Sequence, residues 1–272
     1  MKKQSSAKGF TVLSAASFIN KLLGVLYVPV VTLILGNYGN GIRQQGYNLY
    51  ELAFVITNTG IPIALSKIIS EQLASSRYAL SYKTLRVSAA LLTTAGLSTC
   101  VLTAVLAGPV SALMQLPEIR WTVVALSPAL FFTSVSCIFR GYFQGRSNMV
   151  PTSVSQILEQ VVNAVMAILF AWLAYRWGLE FAAGQGLAGE EMITEAQKFA
   201  AAGATIGVTA GALASAVYLY RTFARNRAEI IDELRYSPTD GSEMSSKDIL
   251  MRIIKLGVPI TLGSMMIYVA QA

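Results

Sequence analysis

The sequence has no histidine, few cysteines and little charge. The absence of histidine from all 272 residues excludes catalytic sites that use imidazole as a base and removes the commonest metal ligand. The two cysteines, Cys100 and Cys137, both lie in apolar runs and form no recognisable zinc site without histidine. Charged residues make up 13% of the chain, roughly half of their share in soluble domains. This composition argues against an ordinary water-soluble protein.

Long apolar runs are what the chain does contain. Apolar residues make up 54% of the sequence, and the mean hydropathy is +0.55. Several runs reach the roughly 20 residues that a membrane-crossing helix needs, and they lack the polar–apolar alternation of barrel strands. We therefore predict an all-α fold, a polytopic transmembrane helical bundle. The predicted spans are residues 10–35, 49–69, 87–106, 121–139, 154–173, 199–219 and 253–272.

The basic residues predict an orientation in the membrane. The net charge is +7, and most of the 21 Lys and Arg residues lie at the N-terminus and in alternate connections between spans. The opposite connections hold only Arg43, Arg120, Arg176 and Lys198. Because basic residues concentrate on the cytoplasmic side of membrane proteins, we predict a multi-pass plasma-membrane protein with a cytoplasmic N-terminus. Nucleic-acid binding is excluded because these cations lie between apolar runs rather than on soluble elements.

The spacing of the spans predicts two lobes. Residues 1–235 form an N-terminal transmembrane lobe of about six helices, and residues 236–248, with Ser, Pro and Gly between charged flanks, form a cytoplasmic linker. Residues 249–272 then begin a second lobe with its first helix. The sequence stops inside this last apolar run, so we expect the chain to be an N-terminal fragment.

A polar stripe marks the fifth span. Gln156, Glu159, Gln160 and Asn163 recur at helical spacing and share one face. One interpretation is a cavity lining, in which Glu159 carries a proton or cation or contacts a polar head group; the other is a hydrogen-bonded seam between helices. Four strong polar groups exceed what a seam requires, which favours the cavity.

Further polar residues complete the predicted substrate-binding set. Lys21 lies about 20 Å along the first helix from Lys8. Its ammonium group either attracts an anion such as a phosphate in a cavity or extends to the nearer interface. In the second span, Gly60 and Pro62 predict an interruption of the helix. No metal site or cofactor is predicted. The other members of the set are Asn20, Glu51, Asn58, Lys67 and Arg140.

Three segments of the sequence resemble a known family. The stretch RGYFQGRSNMVPTSVSQILEQ, residues 140–160, resembles the loop and fifth helix of polysaccharide biosynthesis proteins of the stage V sporulation protein B type. GIPIALSKIISE (60–71) resembles their second helix, and NKLLG (20–24) resembles their first. This family is similar to the MviN/MurJ lipid II flippases of the multidrug/oligosaccharidyl-lipid/polysaccharide exporter superfamily.

The resemblance implies a two-lobed bundle that encloses a cationic central cavity and alternates in access. The implied cargo is an undecaprenyl-diphosphate-linked sugar that moves from the cytoplasmic to the outer leaflet, with membrane lipids and a coupling cation as further partners. Lys21 stands where the flippases carry an arginine, so a role facing the diphosphate carries over to it. Tyr27 stands where they carry another arginine, and here the sequence departs from their pattern.

Two other functions compete with lipid transport. A cation-coupled multidrug extrusion antiporter of the same superfamily would depend on a membrane carboxylate such as Glu159 and would tolerate the loss of Lys21. A membrane-embedded glycosyl- or acyltransferase would need carboxylates or histidines clustered at one interface. Glu190 and Glu191 lack the aromatic and basic neighbours of a sugar-processing site, so we do not expect an enzyme.

Overall fold

The computed structural model describes residues 6–235 and 244–271, and every regular element within them is a helix. The predicted all-α class is therefore confirmed. Residues 236–243 of the predicted linker lie outside the described residues, as do Lys2, Lys3 and Ala272. The helices are α1 (Ser6–Asn58), α2 (Gly60–Ala74), α3 (Tyr78–Leu113), α4 (Ile119–Gly145), α5 (Val150–Gly184), α6 (Glu190–Arg225), α7 (Arg227–Arg235) and α8 (Ser246–Gln271).

Six helical stretches among the described residues are long and apolar enough to cross a membrane. The first of them, Gly9–Ala74, contains the first two predicted spans, so the predicted spans all fall on membrane-length helices. The sequence analysis left residues 36–48 as a connection, whereas in the structure residues 37–48 are helical and only Gly36 departs from helical geometry. The chain is a multi-pass membrane protein.

Helix α1 reverses direction at Gly36. This residue adopts φ 61° and ψ −175°, a left-handed conformation that glycine reaches without the penalty of a Cβ atom. Residues 6–35 run beside α5, with Gly9 near Met149 and Tyr27 near Asn163. The one-residue break replaces the loop that we predicted between the first two spans.

Residues 37–74 then run parallel to α4. Gly46 lies against Thr122, Asn58 against Ser134 and Ile69 against Gly145, so the sequence offset stays constant along both helices. The helix breaks once in this stretch, between Asn58 and Gly60, where Gly60 and Pro62 predicted an interruption.

The bundle has two ends, which we name by their residues. The amino-terminal end holds Gly9, the α4–α5 connection and α7, and the far end holds Gly36 and the α3–α4 and α5–α6 connections. At the far end Trp121, Trp172 and Trp177 are all exposed, as expected for rings at a membrane interface.

Helices α5 and α6 share the most extensive contact among the described helices. Gly203, Gly207 and Gly211 recur every four residues and lie on the backbone of α5. A Cβ atom on Gly207 would lie 2.6 Å from the Ala167 nitrogen and 2.7 Å from the Asn163 carbonyl oxygen. Such small-residue stripes let two membrane helices approach closely, and this spacing was missed in the sequence analysis.

Helix α8 packs antiparallel to residues 37–74. Arg252 Nη2 donates to Glu71 Oε2 over 2.6 Å near the amino-terminal end, and Tyr268 Oη donates to the Asn48 carbonyl oxygen over 3.0 Å towards the far end. Gly60 and Gly257 bring the two backbones together between these contacts. The last residues of the predicted linker, 246–248, already belong to α8.

Candidate functional site

A cavity of about 500 Å³ lies among α1, α5 and α6. Both arms of α1 contribute, because the reversal at Gly36 brings residues 27–28 and 43–54 to the same space. Four predicted site residues line it: Glu51 from α1, and Glu159, Gln160 and Asn163 from α5. Polar side chains in a membrane bundle face such interior spaces because hydrocarbon cannot satisfy their hydrogen bonds.

The cavity bears on the two interpretations of the α5 stripe. Glu159, Gln160 and Asn163 line an open space, while the close approach of α5 to α6 is made by glycines rather than by hydrogen bonds. Gln156, one turn nearer the amino-terminal end, is half-buried and lies outside the lining. Three of the four stripe residues, Glu159, Gln160 and Asn163, therefore lie where a cavity lining would lie.

Arg140 reaches the cavity wall through an ion pair. Its Nη2 donates to Glu159 Oε2 over 2.6 Å and to Ser215 Oγ over 2.8 Å, and its Nε donates to Ser155 Oγ over 3.0 Å. The Arg140 side chain is 14% exposed and the Glu159 side chain is 29% exposed. A charge that leaves water needs a partner. Arg140 therefore stabilises the charge of Glu159 in the cavity lining.

The sequence analysis missed one wall of the cavity. Arg43, Tyr47, Tyr50 and Phe54 line it from the second arm of α1, at spacings of three and four residues that place them on one helical face. This periodicity was readable in the sequence, but the loop predicted at residues 36–48 cut through it. Tyr27 and Thr205 add further polar groups from the first arm of α1 and from α6.

Asn58 belongs to a packing contact rather than to the cavity lining. It is 4% exposed, and its Oδ1 accepts a 2.7 Å hydrogen bond from Ser134 Oγ. The contact joins α1 to α4 close to the break before Gly60. Asn58 therefore lies apart from the cavity residues, although it shares a face with Glu51.

Two predicted lysines lie away from the cavity. Lys21 is exposed on α1, and Asn20 beside it is half-buried with its Oδ1 unpartnered among the described residues. Lys67 lines a second cavity of about 460 Å³ between α2 and α8. This second cavity also contains Glu71, Asp248, Arg252 and Lys255.

The charges around the first cavity balance. Its described lining holds one cation, Arg43, and two carboxylates, Glu51 and Glu159, and Arg140 neutralises Glu159 from just below. The cationic central cavity that the resemblance implies is enclosed by two lobes and stays a prediction, while Lys67, Arg252 and Lys255 cluster around the second cavity. No group of three metal-ligating side chains occurs within residues 6–235 and 244–271.

Comparison with known families decides the assignment. The family model for polysaccharide biosynthesis proteins matches residues 6–272. The chain belongs to the polysaccharide biosynthesis protein family. Within this family it is 30% identical over 227 residues to the stage V sporulation protein B of Bacillus subtilis (strain 168), an alignment that covers 82% of this chain and 40% of that protein.

Two further proteins are similar to this chain, one in sequence and one in fold. The lipid II flippase MurJ of the same organism is 28% identical over 197 residues, which cover 65% of this chain and 35% of the flippase. A eukaryotic MATE transporter, AtDTX14, shares the fold at a TM-score of 0.60 and 16% identity, over 94% of this chain and 52% of the transporter. The chain thus spans about 40% or less of the length of these curated relatives.

Proposed function

We propose that this chain provides one lobe of a transporter that flips an undecaprenyl-diphosphate-linked sugar, such as a peptidoglycan precursor, from the inner to the outer leaflet by alternating access. The observation that carries the proposal is the polar cavity among the membrane-length helices α1, α5 and α6. A sugar-bearing head group cannot cross hydrocarbon unshielded because each unpaired polar group costs several kcal/mol. Glu51, Gln160 and Asn163 offer replacement partners inside the membrane.

The relatives support this substrate class. One of them is named as a lipid II flippase and another as a sporulation protein, and the family name concerns polysaccharide biosynthesis. We infer a transporter that makes and breaks no covalent bond, with the lipid-linked sugar and the surrounding lipids as its partners. The distribution of basic residues supports a cytoplasmic N-terminus in the plasma membrane.

Reconstitution into liposomes tests the proposal. The transporter that contains this lobe is incorporated into vesicles that carry a fluorescent lipid-linked sugar diphosphate, and an impermeant quencher reports the fraction of this lipid in each leaflet. We expect flipping that is lost in a Glu159→Gln/Asn163→Leu variant and retained in Leu33→Ala, whose parent side chain is 85% exposed on the lipid-facing surface.

A different result would assign a different transport function. If the vesicles export an organic cation in response to an ion gradient and leave the lipid-linked sugar in place, the chain is a cation-coupled multidrug antiporter. That mechanism would require Glu159 as the coupling carboxylate and would not require Lys21. Accordingly, the Lys21→Ala variant separates the two: it should impair flipping and spare antiport.

A further inference from the structure

One wall of the first cavity is aromatic. The rings of Tyr47 and Tyr50 lie with their centroids 5.5 Å apart, and Phe54 stacks on Tyr50 at 6.1 Å. Tyr50 is 6% exposed and is therefore fixed by packing, whereas Tyr47 and Phe54 are only partly buried at the cavity. Broad ring faces of this kind pack well against the C–H face of a pyranose, which is apolar although the ring edge is polar.

The facing wall is built from amides and hydroxyls. Gln160 and Asn163 project from α5 and Thr205 from α6, and Asn163 Nδ2 donates to Tyr27 Oη over 3.4 Å. An amide both donates and accepts hydrogen bonds, and so does a hydroxyl. This wall therefore matches a ligand whose own groups both donate and accept, as sugar hydroxyls and acetamido groups do.

The charge balance of the lining selects against an ionic ligand. Glu159 is bound by Arg140 at 2.6 Å, and Arg43 stands in the same wall as Glu51 and is itself hydrogen-bonded to Asn40 Oδ1 at 3.2 Å. No excess charge of either sign remains in the described lining. Neither a diphosphate nor an organic cation would find there the net counter-charge that repays its desolvation.

An exposed cation, Lys21, lies outside the cavity lining on the first arm of α1. Lys21 lies seven residues before the lining residue Val28, hence on the same face of α1 and about 10 Å nearer the amino-terminal end. It is exposed, and a lysine ammonium binds phosphate as a point charge. A head group whose sugar occupied the cavity would place its diphosphate towards Lys21.

We propose that the cavity among α1, α5 and α6 is a sugar subsite, in which Tyr47 and Phe54 pack on a pyranose ring and Gln160 and Asn163 bind its hydroxyl or acetamido groups, while the diphosphate of the same ligand stays outside, at Lys21. This inference rests on the proposed function and adds a division of the head group between two places. The volume of about 500 Å³ lies within the range of small-ligand sites.

Paired ligands test the division. Binding to the detergent-solubilised chain is measured for a short prenyl diphosphate and for the same prenyl diphosphate bearing N-acetylglucosamine. The ratio of the two Kd values isolates the contribution of the sugar. For the unmodified chain we expect the sugar to tighten binding about 10-fold, equivalent to about 1.4 kcal/mol.

Variants on the two walls should remove this advantage. Tyr47→Ala and Gln160→Leu should each reduce the ratio to about 1 and leave the affinity for prenyl diphosphate unchanged. Lys21→Ala is the control. It should weaken the binding of both ligands equally and leave the ratio of the two Kd values unchanged. The use of two variants on different helices guards against a folding defect in either one.

The possible failures are distinguishable. If the unmodified chain binds both ligands and the wall variants retain the full sugar advantage, the sugar subsite is overturned while the proposed function stands. If the unmodified chain binds neither ligand, the proposed function fails and the subsite fails with it. If Lys21→Ala alone lowers the ratio, the assignment of the two places is reversed and the proposal is wrong.

Discussion

The two faces of α5 differ in both chemistry and distance from their neighbours. Towards α6, Gly207 and Gly211 bring the backbones together, with a Cβ on Gly211 only 2.5 Å from the Glu159 carbonyl oxygen. Towards α1, the polar side chains Gln160 and Asn163 border an open cavity. Around α5 the small residues of α6 make the tight seam, whereas Gln160 and Asn163 line the space and Asn163 also donates to Tyr27 Oη of α1.

The largest effect should follow from filling the glycine seam. In Gly207→Leu, the new side chain meets backbone atoms of Ala167 and Asn163 that cannot yield without separating the helices. Overpacking costs up to about 3 kcal/mol when side chains can adjust, so we expect a loss of more than about 3 kcal/mol and little folded protein. Size-exclusion profiles and thermal unfolding in detergent measure it.

Gly24→Leu is the control for this substitution. A Cβ on Gly24 meets no other group within 4 Å among the described residues, so the same added side chain should leave the unfolding temperature nearly unchanged. Equal destabilisation by both variants would show that helix α5 does not depend on a tight seam with α6.

The second-largest effect should follow from breaking the ion pair between Arg140 and Glu159 beside the cavity. Arg140→Ala removes the partner of Glu159 and leaves a carboxylate that is 29% exposed inside the bundle. Breaking a buried pair costs about 3–5 kcal/mol, and because Glu159 faces the cavity we expect about 3 kcal/mol. Thermal unfolding should show the loss at neutral pH.

Adding Glu159→Gln to Arg140→Ala should restore much of that stability, since the unpaired charge disappears. The double variant should then unfold at a higher temperature than Arg140→Ala alone. A double variant as unstable as Arg140→Ala would mean that Arg140 stabilises this part of the bundle through its packing and not through its charge.

A second ion pair joins the carboxyl-terminal end of α4 to α7. Arg146 Nη2 binds both carboxylate oxygens of Glu233 on α7, at 2.5 and 2.6 Å, and Arg146 Nη1 donates to Tyr142 Oη over 3.0 Å. Burial by itself lowers the pKa of Arg146, but the hydrogen bonds and charge of Glu233, together with Tyr142, raise it above its ordinary value. Arg146 therefore stays charged at physiological pH.

Glu233→Gln should release α7 without unfolding the bundle. We expect about 2 kcal/mol of local destabilisation, because Arg146 is only 8% exposed and keeps its charge while its partner becomes neutral. The bundle should stay folded because Ile230 still buries its side chain in the core. Hydrogen exchange should accelerate in residues 227–235 and remain unchanged in α4. Exchange that accelerates through α4 as well would contradict a local contact.

The smallest effect on stability should come from the cavity face itself. Gln160→Leu replaces a side chain that borders open space, and its free energy of unfolding should change by less than about 0.5 kcal/mol. Flipping of the lipid-linked sugar should nevertheless fall. A stability loss as large as that of Arg140→Ala would indicate that Gln160 holds helices together instead of lining a cavity.

The sequence predicted the spans well because each depends on local composition. A run of about 20 apolar residues remains membrane-length whatever its neighbours are, and the interruption at Gly60 and Pro62 follows from backbone restrictions alone. A connection between the first two spans was predicted, but its restriction to the single residue Gly36 was not, because one glycine resembles many others in the chain. This error hid the helical spacing of Arg43, Tyr47 and Phe54, and with it one wall of the cavity.

The amino-acid sequence alone determined that the chain is a bundle of membrane helices, that α5 carries a polar face and that this family was the one to compare. Only the tertiary structure decided that Glu159 pairs with Arg140, that Asn58 packs against Ser134 and that Lys67 lies in a separate space. The physical reason is range. Hydropathy and helical periodicity act over a few turns, whereas ion pairs and cavities join residues whose distance is set by how whole helices pack.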